Sequence, residues 1–309
     1  MNTWRSGGPV DGIDDIRLDG GPALTRKDAR DVTLSEYEFR LIRDHIHDYC
    51  GIFFDDSKAS TLASRLSFRL KLLDIGSYLE YYNYLKYNPR SKEEMEDLIP
   101  HLTNNETYFF REMNQISYFM SVLMEEIKQR KQKEGSKTIR ILSCGCSSGE
   151  EAFTLAMLFE EKGIYAPDWD IRITGIDIDR KVLEKAASGL YTSYSLRATD
   201  KAWIDRHFKK EGELYRVERR IRDRVKFVRG NLMDPLTLRG HRGADAIFCR
   251  NVLIYFSDGA IKRIAEGFHD TLSDSGCLML GHSESLSRIT DIFYARRNPN
   301  TIIYTKKDS

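Results

Sequence analysis

The chain has 309 residues, 41% of them hydrophobic and 11% aromatic, enough for one large domain or two ordinary ones. Forty-eight Lys plus Arg stand against 47 Asp plus Glu, a formal charge of +1, so no global field draws it to nucleic acid or to an acidic membrane. No apolar run approaches the roughly 18 residues of a spanning helix, and the first thirty residues lack the apolar stretch of a signal peptide, so a soluble, cytoplasmic protein without membrane insertion is expected. The five cysteines (Cys50, Cys144, Cys146, Cys249, Cys277) are scattered, without the paired C-x-x-C of a zinc site. They read as reduced, core-packed thiols, and no metal is expected.

Residues 1–30 carry five Gly and five Asp with little periodic hydrophobicity and read as a disordered tail. From Thr33, a candidate cap with Glu36 three residues on, Phe39, Ile42 and Ile46 recur at helical spacing. A second helix is predicted over Ser57 to Leu73, burying Leu62, Leu66, Leu70 and Leu73, with Lys58, Arg65 and Arg69 on the neighbouring stripe. Ser77 to Leu85 and Lys92 to Leu98 add shorter helical patterns, so residues 31–100 read as a small all-α domain.

After Pro100 helical segments alternate with short apolar runs. Strands are predicted at Thr138–Ser143, Ile171–Ile176, Val225–Val228, Ala244–Cys249, Gly276–Leu280 and Thr301–Thr305, and helices at about 113–133, 150–162, 179–188 and 258–273. This grammar predicts an α/β domain over 113–309, a doubly wound, mostly parallel sheet with helices on both faces, preceded by a linker at 101–112. Tyr191 to Arg224 breaks the alternation with basic and aromatic residues, a helical pattern at Ala198–Phe208 and the run Glu213–Val217. An ordinary long connection and a separate inserted recognition subdomain both fit it.

The strand ending in Cys144-Gly145 runs into Cys146-Ser-Ser-Gly149 and a helix opening on Glu150-Glu151. The spacing is not the G-x-G-x-x-G of a dinucleotide fold, and two carboxylates at a helix start repel a pyrophosphate, so the site suits a ligand without phosphates. The next strand ends in Gly175-Ile-Asp177-Ile-Asp179. Asp177 stands where such sheets bind ribose hydroxyls, while Asp179 reads as the cap of the following helix. A nucleoside bound without phosphates in a doubly wound sheet is what S-adenosylmethionine presents.

The strings Asn105-Glu-Thr107-Tyr-Phe-Phe-Arg111-Glu112, Ser148-Gly-Glu-Glu151, Gly175-Ile-Asp177-Ile-Asp179, Asn231-Leu232, Phe248-Cys-Arg-Asn251-Val-Leu-Ile-Tyr255-Phe and Gly281-His-Ser-Glu284, in this order, resemble the chemotaxis receptor methyltransferase family, CheR. The resemblance runs from about residue 35 to 305. It implies a class I methyltransferase fold with an inserted small β-subdomain, at about 191–224, and an S-adenosylmethionine-dependent protein-glutamate O-methyltransferase that modifies methyl-accepting chemotaxis receptors and sets their adaptation. The product of the cofactor is then S-adenosylhomocysteine.

Carried over by position, the resemblance implies cofactor contacts from Asn105, Thr107, Arg111, Glu151, Asp177, Asn231, Leu232, Asn251 and Val252. It sets Arg111 at the methionine end and the transfer site, where a guanidinium is suited to a carboxylate. Tyr255 either lines the methyl-transfer channel or is a buried tyrosine with a satisfied hydroxyl. The helix bearing Lys58, Arg65 and Arg69 is implied to dock on acidic receptor helices, a solvated face being the plain alternative. The insert is implied to hold a receptor C-terminal peptide in some members. His282 reads as a structural hydrogen bonder rather than an acid or base. Ala152-Phe153, where many members have Pro-Tyr, and Cys144-Gly-Cys146, where alanines are common, depart from the pattern without removing a polar ligand.

Other readings keep less of this pattern. A cofactor-sensing protein without transfer has no reason to retain Arg111 and Asp177, a nicotinamide oxidoreductase has the wrong glycine spacing, and a small-molecule methyltransferase leaves the basic helical domain unexplained. Nucleic-acid methylation is disfavoured by the near-neutral charge.

Overall fold

The computed structural model describes residues 32–164, 169–298 and 301–307. The expected tail at 1–30 lies outside the described residues. Among the described residues no helix is long and apolar enough to cross a membrane.

Four helices come first: α1 (Glu36–Cys50), α2 (Ala59–Leu72), α3 (Tyr78–Tyr87) and α4 (Ser91–Leu102). They share one core, in which Phe39, Ile42, Ile46, Leu62, Leu66 and Leu70 meet Tyr81, Leu85, Met95 and Leu98. The cap of α1 is Ser35 and not Thr33. Its hydroxyl accepts from the Glu38 N–H while Glu38 accepts from the Ser35 N–H, so the capping box lies two residues later than expected. Leu73 falls past the end of α2 and is only half-buried, because the chain turns there through Asp74 at a positive φ of 55°. Helix α4 continues two residues past Pro100, the expected break.

The second part begins with α5 (Met113–Tyr118), a single π-helical turn (Phe119–Leu123) and α6 (Met124–Lys133), where one continuous helix was expected. Then come β1 (Thr138–Cys144), α7 (Glu150–Glu161), β2 (Asp170–Asp177), α8 (Arg180–Ser188), β3 (Leu190–Thr192), α9 (Lys201–His207), β4 (Phe208–Glu211), β5 (Leu214–Val217) and α10 (Arg219–Arg222). The chain closes with β6 (Val225–Arg229), α11 (Pro235–Arg239), β7 (Ala244–Cys249), α12 (Asp258–Thr271), β8 (Leu272–Leu280), β9 (Phe293–Asn298) and β10 (Thr301–Lys306).

Seven strands form one sheet in the order β6-β2-β1-β7-β8-β10-β9. The first five run parallel, and β10 and β9 are antiparallel additions at one side. On β1, Ile139 and Ile141 enter a core shared with α5, α6 and α7, while Leu142 and Cys144 enter the core under α12. Burial on both faces is why the central strands read as continuous apolar runs. Strand β9 was not expected: four of its six residues are exposed, so its sequence lacks a buried face. Segment β3 to β5 makes a separate antiparallel sheet of order β3-β5-β4, so the break in the alternation is an inserted subdomain, as the family resemblance implied.

The helical domain is joined to the sheet domain by backbone pairing. Ile52 and Phe256 form an antiparallel bridge, and the Phe53 N–H donates to the Tyr255 carbonyl at 2.9 Å. An Arg229–Glu96 ion pair at 2.8 Å ties β6 to α4, and His47 and Ser257 share a hydrogen bond of 2.8 Å.

Candidate active site

Strands β1, β2 and β7 all end at one edge, where parallel sheets of this kind bind ligands because successive loops diverge there. At that edge lies a cleft of about 1050 Å³ counted to its open mouth. Its walls bring together all ten predicted cofactor and catalytic residues: Asn105, Thr107, Arg111, Glu151, Asp177, Asn231, Leu232, Asn251, Val252 and Tyr255. Cys50 and Ile52 of the helical domain also line it, so the first domain forms part of the wall.

The floor is the turn after β1. Gly145 has φ +71°, and a side chain there would collide with Val252, so both the backbone and the space call for glycine. Ser147, also at positive φ (48°), donates its N–H to Asp177 Oδ2 at 2.8 Å, and the Asp179 N–H donates to Oδ1 at 2.9 Å. Asp177 is 8% exposed, and this burial lifts its carboxyl to about 6 despite the two N–H donors. A carboxylate has roughly four acceptor sites, so two remain for ligand hydroxyls. Asp179 accepts from the Lys181 N–H and caps α8 as expected, and also accepts from Asn105 Nδ2 at 3.0 Å.

The paired glutamates diverge. Glu151 accepts from Ser143 Oγ at 2.7 Å and from Arg250 Nη1 at 3.1 Å beside the cleft. Glu150 is fully buried on the insert side, accepts from Ser148 and Ser195, and has its carboxyl pushed up by burial.

Residues 103–112 form no helix or strand and are held by side chains and by the Phe109 N–H, which donates to the Ser195 carbonyl at 3.0 Å. Arg111 Nη1 donates to the Glu106 carbonyl at 2.8 Å and its Nε lies 3.8 Å from Glu112 Oε1, which leaves the rest of its N–H fork for an anion in the cleft. Asn231 Nδ2 donates to the Tyr49 carbonyl at 2.6 Å, so this amide also fastens the helical domain. Tyr255 lines the cleft half-buried and its hydroxyl donates to the Asn104 carbonyl at 3.2 Å, so it is not the buried tyrosine of one expectation.

Two residues not predicted as site members hold the rest. Arg250 is 8% exposed and donates to Gln115 Oε1, Glu151, Glu112 and the carbonyls of Arg111 and Glu112. It thereby joins the linker to α7. Glu284, 7% exposed, accepts from the N–H groups of Asn251, Val252, Leu253 and Gly281 at 2.5 to 2.8 Å. It fixes the turn after β7, where Asn251 has φ 59°. The available signal was a lone charge ending an apolar strand, for Arg250, and a carboxylate just after a buried strand, for Glu284.

The basic stripe on α2 does not survive intact. Arg69 is 4% exposed and makes paired bonds to Glu94 at 2.8 and 2.5 Å, while the Tyr81 hydroxyl donates to the same carboxylate at 2.6 Å. Its position follows from α4 packing across α2, which turns this part of the expected outer stripe inward. Arg65 is half-buried, donating to the Leu102 carbonyl and lying over the Phe54 ring. Lys58 stays in solvent beside Asp55.

Residues 37–103 match the family description "CheR methyltransferase, all-alpha domain", and residues 105–302 match "CheR methyltransferase, SAM binding domain". The chain is 34% identical over 277 residues to chemotaxis protein methyltransferase 2 of Vibrio cholerae, covering 89% of this chain and 95% of that one. It is 34% identical over 272 residues to the chemotaxis protein methyltransferase of Escherichia coli, covering 86% and 90%. A probable biofilm formation methyltransferase of Pseudomonas aeruginosa, WspC, is 31% identical over 67% of this chain and 47% of its own length.

Proposed function

The chain belongs to the CheR methyltransferase family, and from that premise we propose that it is an S-adenosylmethionine-dependent protein-glutamate O-methyltransferase acting on the cytoplasmic helices of chemotaxis receptors. The observation that carries the reading is the single cleft lined by Asp177 at the end of β2 and Arg111 on the linker.

The donor set fits the cofactor. Asp177 has free acceptor capacity for ribose hydroxyls, and Ile52, Ile178, Leu232 and Val252 offer apolar surface to a base. Arg111 supplies the cation for an amino-acid carboxylate, and Asn105, Thr107, Glu151, Asn231 and Asn251 supply the remaining polar wall. When bound, S-adenosylmethionine supplies an electrophilic methyl group on a sulfonium. A receptor glutamate, with an ordinary pKa near 4.3, is already ionised at neutral pH, so the chain needs no general base for the acceptor. Its residues position and exclude water: the linker and Tyr255 wall the cleft, and the helical domain closes one side of it.

For docking, the reading keeps Lys58 and Arg65 facing the acidic receptor helices and gives Arg69 the task of holding α2 against α4. The inserted sheet, with β3 and β4 as its edges, is assigned to a receptor C-terminal peptide added as a further strand.

The test is transfer of labelled methyl from S-adenosylmethionine to receptor-containing membranes, followed by alkali. Label released as methanol identifies a carboxyl methyl ester. Tight cofactor binding with no label would replace this reading with a cofactor sensor.

A further inference from the structure

The linker that carries Thr107 and Arg111 has no secondary structure of its own and contains two residues at positive φ, Phe110 (59°) and Glu112 (49°). Such a backbone persists only where its surroundings over-determine it. Arg250 grips its inner end through the carbonyls of Arg111 and Glu112. The outer grip comes from the inserted subdomain, within one short segment, residues 191–197. The Ser195 carbonyl accepts from the Phe109 N–H at 3.0 Å. The Tyr191 ring packs edge-on against Phe109, and the Tyr191 hydroxyl donates to the Ser148 carbonyl at 2.5 Å. Tyr194 and Arg197 then hold Glu106: its Oε1 accepts from the Tyr194 hydroxyl at 3.2 Å and from Arg197 Nη2 at 2.9 Å.

Glu106 is also the residue whose carbonyl receives Arg111 Nη1 at 2.8 Å. The Arg197 guanidinium lies 3.8 Å from the Tyr108 ring centre and 4.0 Å from that of Tyr194, and Arg111 lies 5.7 Å from the same Tyr108 ring. Both arginines therefore use one tyrosine, and both are fixed to opposite ends of one glutamate, its side chain and its carbonyl. Arg197 Nη1 donates to the Tyr194 carbonyl at 2.8 Å, which holds its own plane in place.

We infer that Tyr194 and Arg197 are positioning residues that set the guanidinium of Arg111 through Glu106, making the inserted subdomain part of the machinery for the methionine end of the cofactor. The inference rests on the reading of Arg111 as the ligand for that end. A guanidinium matches a carboxylate only when its fork is aimed, so loss of the outer grip lowers affinity without removing any ligand.

The test compares two probes on the full chain by calorimetry: S-adenosylhomocysteine, and 5′-methylthioadenosine, which has the nucleoside and sulfur but lacks the amino-acid end. Arg197→Ala is expected to raise the Kd of S-adenosylhomocysteine about five- to tenfold while leaving that of 5′-methylthioadenosine within about twofold. Tyr194→Phe should do the same to a smaller degree. Arg197→Lys, which keeps the charge near Glu106, should recover part of the loss. Equal weakening of both probes, which is what general loosening of the cleft would give, overturns the inference, and so does an unchanged Kd for S-adenosylhomocysteine. Arg111→Ala run alongside separates the two failures: if it also spares S-adenosylhomocysteine, the role of Arg111 itself is wrong, whereas its loss beside an unaffected Arg197→Ala refutes only the relay.

Discussion

In the proposed role of ribose ligand, Asp177 is expected to make cofactor binding depend on pH. Burial lifts its carboxyl from the usual 3.8 to about 6, so ionising it in the folded chain costs about 3 kcal/mol more than in the unfolded one. For an acid with a raised value the sign is clear: the cost is absent below about pH 3.8, grows up to about 6 and is present in full above it. Ribose hydroxyls donate to the ionised form, so that form binds. With the group about nine-tenths ionised at pH 7 and one-tenth at pH 5, the Kd of S-adenosylhomocysteine should rise about tenfold across that interval. No histidine lines the cleft among the described residues. Calorimetry at pH 5.5 in two buffers of different ionisation heat should also register a proton released on binding. Asp177→Asn should weaken binding by about 1 to 3 kcal/mol and flatten the pH dependence. A flat wild-type profile, or an equal slope in the variant, would refute the reasoning.

Glu284→Gln replaces one of two acceptor oxygens by a donor facing backbone N–H groups, so urea unfolding should show a loss of about 1 to 3 kcal/mol and cofactor affinity should fall with it; unchanged stability and affinity would remove it as the clamp of the Asn251 turn. Arg69→Ala leaves Glu94 buried without its cation and should cost about 3 to 5 kcal/mol in stability, whereas Lys58→Glu should leave stability and cofactor affinity intact and reduce receptor methylation. A stable Arg69→Ala chain defective only in receptor methylation would return Arg69 to the docking face.

The centre of the sheet was legible because β7 and most of β1 are buried: Ala244–Cys249 coincides with β7, and β1, β2 and β6 differ from expectation by a residue at an end, whereas β8 starts four residues before the expected Gly276. What the sequence hides is which partner a polar side chain takes. Arg69 shares its helix face with Arg65 by spacing, and only the packing of α4 turns one inward and leaves the other at the rim. Glu284 lies 33 positions from Asn251, and periodicity says nothing about a carboxylate meeting backbone N–H groups so far along the chain. Similarly, Thr33 and Ser35 both precede a Glu at the right interval, and the choice between them rests on where the backbone turns.

All five cysteines are free and buried, and burial pushes every thiol up, Cys50 and Cys277 to about 12. Because only the thiolate is nucleophilic, slow alkylation of the native chain is expected, with labelling reporting opening. The positions differ in place: Cys277 lies within β8 of the sheet, while Cys50, contributed by the helical domain, and Cys146 line the cleft, so labelling resolved by residue is expected to distinguish opening of the sheet from opening at the cleft.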